Sequence, residues 1–280
     1  MNTIGIAGTG VMGTDIAHIT ADAGFSVIMY DKDHTKLRSA YSTIDNRLKR
    51  YVDRGTMDIT RVSEITSLIK LHDDIRDLCE AEIIIECVTE DIDIKKNLVS
   101  QLDEICKGGS ILASNTSSIS ITEIASATNH PESVIGIHFM NPVRVMKLVE
   151  IVPGLTTTRE TFEIARDFVK KLGKDYVESR DFPGFSLNRI LYPMINEAIW
   201  LLFENAGTPE SIDKLLKIGL NLPQGPLALA DMIGLDIVLA IGEQMFMSYG
   251  DTKYRPCPLL RQYVSAGYLG AKSGRGFYRY

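Results

Sequence analysis

The chain reads as an α/β protein in which a doubly wound, mostly parallel sheet is followed by an all-helical C-terminal domain. Three observations predict this. Short β-branched apolar runs alternate with longer helical patterns up to about residue 180. A glycine-rich turn stands directly after the first run and opens a helical pattern. Past Pro183-Gly184 the runs stop, and only helical patterns continue. With 280 residues the chain is near the length at which one hydrophobic core stops growing. The change of texture divides it into residues 1–183 and 184–280.

Residues 4–7, 26–30, 83–88, 110–113, 134–137 and 148–152 are apolar runs bounded by Gly, Asp or Asn. Uninterrupted apolarity of this kind suits strands covered on both faces, the condition of a parallel sheet. Between them, 12–23, 33–52, 92–105 and 159–171 are long and periodic enough for helices. Leu37, Ala40, Tyr41, Ile44 and Leu48 mark the buried stripe of one. In the second part 186–206, 209–218, 227–249 and 259–266 read as helices. Pro193 falls inside the first and predicts a kink, because it removes a backbone donor.

Composition excludes several classes. Apolar and charged fractions of 45% and 24% are those of a globular chain. No uncharged apolar run approaches the roughly 18 residues a membrane helix needs; the longest, 218–230, contains two prolines. Met1 leads straight into the first run with no basic or apolar leader, so a cytoplasmic location is expected. A net charge of −6 argues against nucleic acid as a partner. Cys79, Cys87, Cys106 and Cys257 stand far apart with no C-x-x-C, which indicates neither a disulfide framework nor a zinc site, and no metal is expected.

Gly8-Thr9-Gly10-Val11-Met12-Gly13 matches G-x-G-x-x-G. The first glycine permits a tight turn, the second lets a pyrophosphate approach the backbone, and the third allows close helix–strand packing. The helix N-terminus then offers unpaired N–H groups and a positive dipole end. A glycine-rich βα turn also occurs without a ligand, so the context has to decide. The second run ends at Asp31, 18 residues beyond Gly13, close to the spacing of about 20 in Rossmann-type dinucleotide sites. A carboxylate there accepts from ribose hydroxyls and repels a 2′-phosphate, which favours NAD over NADP. The competing role for Asp31 is a cap on the next helix. Asp15 brings a negative charge into the first turns of the phosphate helix and is expected to point away from the ligand.

Of five histidines, His138 alone follows an apolar run and so stands near the carboxyl edge of a sheet, where α/β folds bind ligands. Ser117 lies in the polar stretch Ser114-Asn-Thr-Ser-Ser118 after another run, at the same edge. Glu150 is embedded in Leu148-Val-Glu-Ile-Val, where a carboxylate is costly unless paired, and an imidazolium is the obvious partner. Asn188 begins the long helix after the domain boundary. Each of the four also has an ordinary structural reading: a turn or N-cap for Ser117, a salt bridge for Glu150, a helix-start hydrogen bond for Asn188, a packed imidazole for His138.

Together these residues resemble the L-3-hydroxyacyl-CoA dehydrogenases, most closely the bacterial 3-hydroxybutyryl-CoA enzymes. The likeness runs through Gly8–Gly13, Ser114–Ser118, His138-Phe-Met-Asn-Pro142, Val145–Glu150, Pro183-Gly-Phe185 with Asn188-Arg189, Gly225-Pro226, Asp231 with Gly234-Leu-Asp236, and Lys272–Tyr278. The resemblance implies His138 as general base, Glu150 as its partner, and Ser117 and Asn188 as the groups that hold the reacting oxygen. It also implies NAD contacts from Glu90, Lys95, Asn115 and Lys272 beside those of Asp31, an acyl-CoA substrate, and a homodimer formed through the helical domain. Met140 stands where an aromatic residue is usual, and Leu222-Pro223-Gln224 replaces the more familiar His-Pro-Met. The usual Ser and Lys contacts to coenzyme A correspond to Arg47 and Arg54. With Lys49 and Arg50 these form a basic cluster that suits CoA phosphates, or equally a solvated helix face. Two rival functions share the fold: a non-catalytic NAD-binding protein, and a dehydrogenase of a free hydroxy acid, which needs no phosphate grip.

Overall fold

The computed structural model describes residues 2–280. The chain forms two compact units, one ending at Asp181 and the other spanning Phe182–Tyr280. In the first, strands and helices alternate as β1 (Thr3–Ala7), α1 (Val11–Asp22), β2 (Ser26–Tyr30), α2 (His34–Asp53), α3 (Ile59–Ser67), β3 (Ile69–His72), β4 (Ile83–Glu86), α4 (Ile92–Cys106), β5 (Ile111–Ser114), α5 (Ile121–Ala125), β6 (Val134–Phe139), β7 (Leu148–Pro153), α6 (Arg159–Lys171) and β8 (Asp175–Glu178). The eight strands form one sheet in the order β3-β2-β1-β4-β5-β6-β7-β8. Every pairing is parallel except β6 with β7.

Burial explains the apolar runs. β4, β5 and β6 are buried at every residue and β1 at all but Thr3, so no polar alternation is possible along them. Edge strands β3 and β8, Ile-Lys-Leu-His and Asp-Tyr-Val-Glu, carry polar residues and escape the apolar-run criterion. Several helices start at a side-chain cap. Asp33, rather than Asp31, caps α2, accepting from the N–H groups of Thr35 and Lys36. That leaves Asp31 for another task.

Two expectations for this unit are corrected. Cys79 and Cys106 form a disulfide across 27 residues, with Cα atoms 5.0 Å apart. Sequence spacing does not reveal it, because the two meet only when the turn over Ile75–Glu80 packs against α4. His138 lies within β6 rather than after it, since the strand extends to Phe139.

The second unit is helical: α7 (Leu187–Phe203), α8 (Pro209–Gly219), α9 (Pro226–Ile233), α10 (Leu235–Tyr249) and α11 (Pro258–Ser265). Its core gathers Tyr192, Ile195, Ile199, Leu227, Leu235, Val238, Met245, Tyr254 and Leu260. The continuous helix expected over 227–249 is two helices, because Gly234 adopts φ +103°, outside the helical region. Two buried aspartates lash this unit together. Asp213 accepts from the N–H groups of Leu227 and Ala228, and Asp231 from those of Phe277 and Tyr278. Among the described residues no helix is long and apolar enough to cross a membrane.

Candidate active site

The sheet reverses its winding between β1 and β4, and the loops beyond their carboxyl ends frame a crevice of the kind that takes ligands in open α/β sheets. The glycine turn lies there. A Cβ on Gly8 would come within 2.8 Å of the Cys87 backbone, and Gly8 has φ +98°. At Gly13 a Cβ would lie 1.9 Å from the Gly8 carbonyl oxygen, so the third glycine is fixed by contact with the first. Gly10 differs: a Cβ there would meet nothing within 4 Å. No protein atom demands glycine at that position, which caps α1 and has open space before the helix N-terminus. This is the fit expected of a phosphate cradle. Asp31 closes it, its Oδ2 accepting from the Thr9 N–H at 2.7 Å and the Thr9 hydroxyl at 2.9 Å. Asp15 turns away from the cradle, with Oδ1 2.7 Å from Arg47 and 3.8 Å from Arg144.

A buried charge network lies beside the turn. Glu86 ends β4 and Lys95 lies in the second turn of α4; both are 1% exposed, with the ammonium 2.8 and 3.0 Å from the two carboxylate oxygens. Glu86 also accepts from Ser114 Oγ at 2.7 Å and from the Val88 N–H at 2.7 Å. Lys95 reaches Glu90 at 3.2 Å as well. Burial alone would lower the Lys95 ammonium, but Glu86 and Glu90 more than offset it and hold it above its ordinary value. Burial likewise pushes the Glu90 carboxyl up, yet Lys95, the Thr116 hydroxyl and the Ser117 N–H together hold it below the usual carboxylate range. Through Glu90 the network fixes the Ser114–Ser118 loop: Oε1 accepts from Thr116 Oγ1 at 2.5 Å, Ser117 N at 3.1 Å and Ser118 Oγ at 3.2 Å.

That loop leads to the histidine. β5 pairs with β6 through Ser114 and Gly136, so Ser117 and His138 leave the sheet on one edge. Asn115 Oδ1 accepts from the Phe139 N–H at 3.0 Å, tying the loop to the strand next to His138. β6 and β7 are antiparallel with His138 opposite Glu150. Ile137, Phe139, Val149 and Ile151 face the core, so the alternate positions place imidazole and carboxylate together on the other face. His138 Nδ1 is 3.0 Å from Glu150 Oε2, with the residues 7% and 1% exposed. The other carboxylate oxygen accepts from Ser179 Oγ at 2.7 Å.

Ser117, Asn115, Glu90 and Lys95 thus share one network, and His138 and Glu150 form a pair joined to it through Asn115. Arg47 turns inward to Asp15 and His18, whereas Arg50 on α2 and Arg54 at its C-cap are exposed. In the second unit, Asn188 is buried in the first turn of α7, and Lys272 pairs with Asp236 at 2.7 Å. Glu86, Ser179 and Asp181 were not picked out in the sequence. Asp181 holds the start of α5, accepting from Ser120 Oγ and the N–H groups of Ile121 and Thr122. Glu86 carries the same signal as Glu150, an acid within an apolar run.

Residues 3–182 match the model of the 3-hydroxyacyl-CoA dehydrogenase NAD binding domain, and residues 184–280 match that of the 3-hydroxyacyl-CoA dehydrogenase C-terminal domain. The chain belongs to the 3-hydroxyacyl-CoA dehydrogenase family. It is an NAD-dependent oxidoreductase. It is 50% identical to the "Probable 3-hydroxybutyryl-CoA dehydrogenase" of Bacillus subtilis, over 98% of this chain and 96% of that protein. Identity to the 3-hydroxybutyryl-CoA dehydrogenase of Bradyrhizobium diazoefficiens is 46%, over 99% and 94%. Among solved structures, (S)-3-hydroxybutyryl-CoA dehydrogenase from Ralstonia eutropha is similar with a TM-score of 0.95 and 43% identity, covering 100% of this chain and 99% of that one.

Proposed function

We propose that the chain interconverts (S)-3-hydroxyacyl-CoA and 3-ketoacyl-CoA with NAD(H), acting on short chains such as 3-hydroxybutyryl-CoA. The observation that carries this is the buried His138–Glu150 pair, set in register on neighbouring strands at the sheet edge that also bears the glycine cradle. A secondary alcohol loses hydride readily only as its proton departs, and imidazole, with an ordinary pKa of about 6.5, exchanges that proton near neutral pH. Glu150 engages Nδ1, so exchange with the 3-hydroxyl runs through Nε2. The carboxylate fixes the tautomer and stabilises the imidazolium that forms. Ser117 Oγ donates to the reacting oxygen as negative charge develops on it. The Asn188 amide is the second donor for that oxygen, a role that rests on the resemblance and on its chemistry.

When bound, NAD supplies the hydride acceptor for C3. The residues that would hold it are Gly8, Thr9, Gly10, Val11, Met12 and Gly13 around the pyrophosphate, Asp31 at the ribose, and Glu90, Lys95 and Asn115 toward the nicotinamide, with Lys272 a further contact. For the substrate, Arg50 and Arg54 present exposed cations to the CoA phosphates. Arg47 is committed to Asp15 and contributes to the field rather than as a mobile clamp. The helical unit exposes Leu215, Ile218 and Leu220 along and just after α8, each more than 60% accessible, apolar side chains of the kind a homodimer would cover. We place the chain in the cytoplasm, where NAD and acyl-CoA are both available. Spectrophotometric oxidation of NADH with acetoacetyl-CoA tests the reading, with acetoacetate and NADPH as controls. Turnover should require both the CoA thioester and NADH. Equal rates with free acetoacetate would move the substrate class to free keto acids.

A further inference from the structure

Glu150 presents two oxygens, and different strands claim them. Oε2 faces His138 on β6, while Oε1 accepts a 2.7 Å hydrogen bond from Ser179 Oγ. Ser179 directly follows β8 and is 1% exposed. Its N–H donates to the Ile151 carbonyl at 3.0 Å, which ties its backbone to the strand carrying Glu150. A buried hydroxyl costs free energy unless it is hydrogen-bonded, and an alanine would serve packing as well. Its bond to a carboxylate is of the stronger, charge-assisted kind. A carboxylate held at one oxygen only can turn about its terminal torsion, which is soft. Held at both, it has its plane fixed and keeps one oxygen for the imidazole.

We infer that Ser179 is a positioning residue of the dehydrogenase reaction: it clamps Glu150 Oε1 so that Oε2 holds the His138 imidazole in the tautomer and orientation that accept the substrate proton. The inference rests on the proposed roles of His138 and Glu150. It assigns the site a four-strand origin, with Ser117 after β5, His138 on β6, Glu150 on β7 and Ser179 after β8. It also gives β8, an edge strand with little apolar content, a part in the site.

The test is a double-mutant cycle on kcat for acetoacetyl-CoA reduction, with Ser179→Ala, Glu150→Gln and the double variant. Ser179→Ala should lower kcat about tenfold, the scale of a hydrogen bond to a charged group, with KM for NADH and acetoacetyl-CoA within about twofold. In the Glu150→Gln background the same change should have almost no further effect, because nothing is left to position. Ser179→Cys, close in volume and a weaker donor, should retain an intermediate kcat, and it serves as the test should the alanine variant not fold. Wild-type kcat in Ser179→Ala, or equal losses in both backgrounds, would overturn the inference while leaving the His138–Glu150 reading intact. Wild-type kcat in Glu150→Gln alone would overturn that reading itself, and this inference with it.

Discussion

Replacing Glu150 with Gln removes one charge at almost constant volume. The carboxylate lies 3.0 Å from His138 Nδ1, and both residues are nearly sealed from water. At an effective dielectric constant of about 20, an ion pair at that separation is worth about 5 kcal/mol. This attraction exists only once the imidazole has taken the substrate proton, so it lowers the barrier to oxidation and holds the proton ready for ketone reduction. If roughly half survives after the desolvation of both groups is set against it, kcat should fall about 10²-fold, at one factor of ten per 1.36 kcal/mol. A second effect acts in the same direction. The Gln amide can donate to Nδ1, which favours the neutral tautomer with its proton on Nε2, unable to accept from a substrate hydroxyl. The assay is steady-state NADH oxidation with acetoacetyl-CoA, and its reverse with 3-hydroxybutyryl-CoA, over pH 5 to 9. NADH affinity should hold. A kcat within about threefold of wild type would refute the reasoning.

Three further outcomes are expected. Lys95→Met leaves Glu86 buried without its cation, and urea denaturation should show a loss of about 3–5 kcal/mol; a loss below 1 kcal/mol would mean that the network is not a buried ion pair in solution. Burial first, then Arg47 and Arg144, depress the His18 pKa to about 4. The folded chain therefore resists a proton that the unfolded chain accepts near pH 6.5, so the stability present above 6.5 is lost as pH falls toward 4. The difference in unfolding free energy between wild type and His18→Gln should change by about 3 kcal/mol across that window, and a flat difference would contradict it. Gly10→Ala should leave the melting temperature nearly unchanged but weaken NADH binding in a fluorescence titration. Gly13→Ala, whose Cβ would lie 1.9 Å from the Gly8 carbonyl oxygen, should destabilise the fold by about 1–3 kcal/mol. Equal effects from the two alanines would remove the distinction between a ligand-facing glycine and a packing glycine.

Much of this was legible in the sequence, for identifiable reasons. Central strands covered on both faces must be apolar at nearly every residue, so β1, β4, β5 and β6 stand out as runs. Glu150 stood out for the converse reason, as an acid where only a paired acid is tolerated. The edge strands β3 and β8 have a neighbour on one side only and keep polar residues, so no run marks them. Ser179 was lost with β8: a serine among Glu178, Arg180 and Asp181 carries no local sign that its hydroxyl is buried against a carboxylate 29 residues away. The Cys79–Cys106 bond and the Arg47–Asp15 pair were invisible for the same reason. Each depends on two elements meeting, and spacing along the chain does not encode that. The division of 227–249 turned on one backbone angle, at Gly234.

The central claim is that His138 exchanges the substrate proton at the edge of the dinucleotide cradle. Turnover of acetoacetyl-CoA by His138→Asn, measured beside its NADH affinity, tests it most directly. Turnover should fall about 10² to 10⁴-fold, the range for a positioned acid–base group, with NADH bound as tightly as by wild type. Wild-type turnover in that variant would place the proton exchange elsewhere.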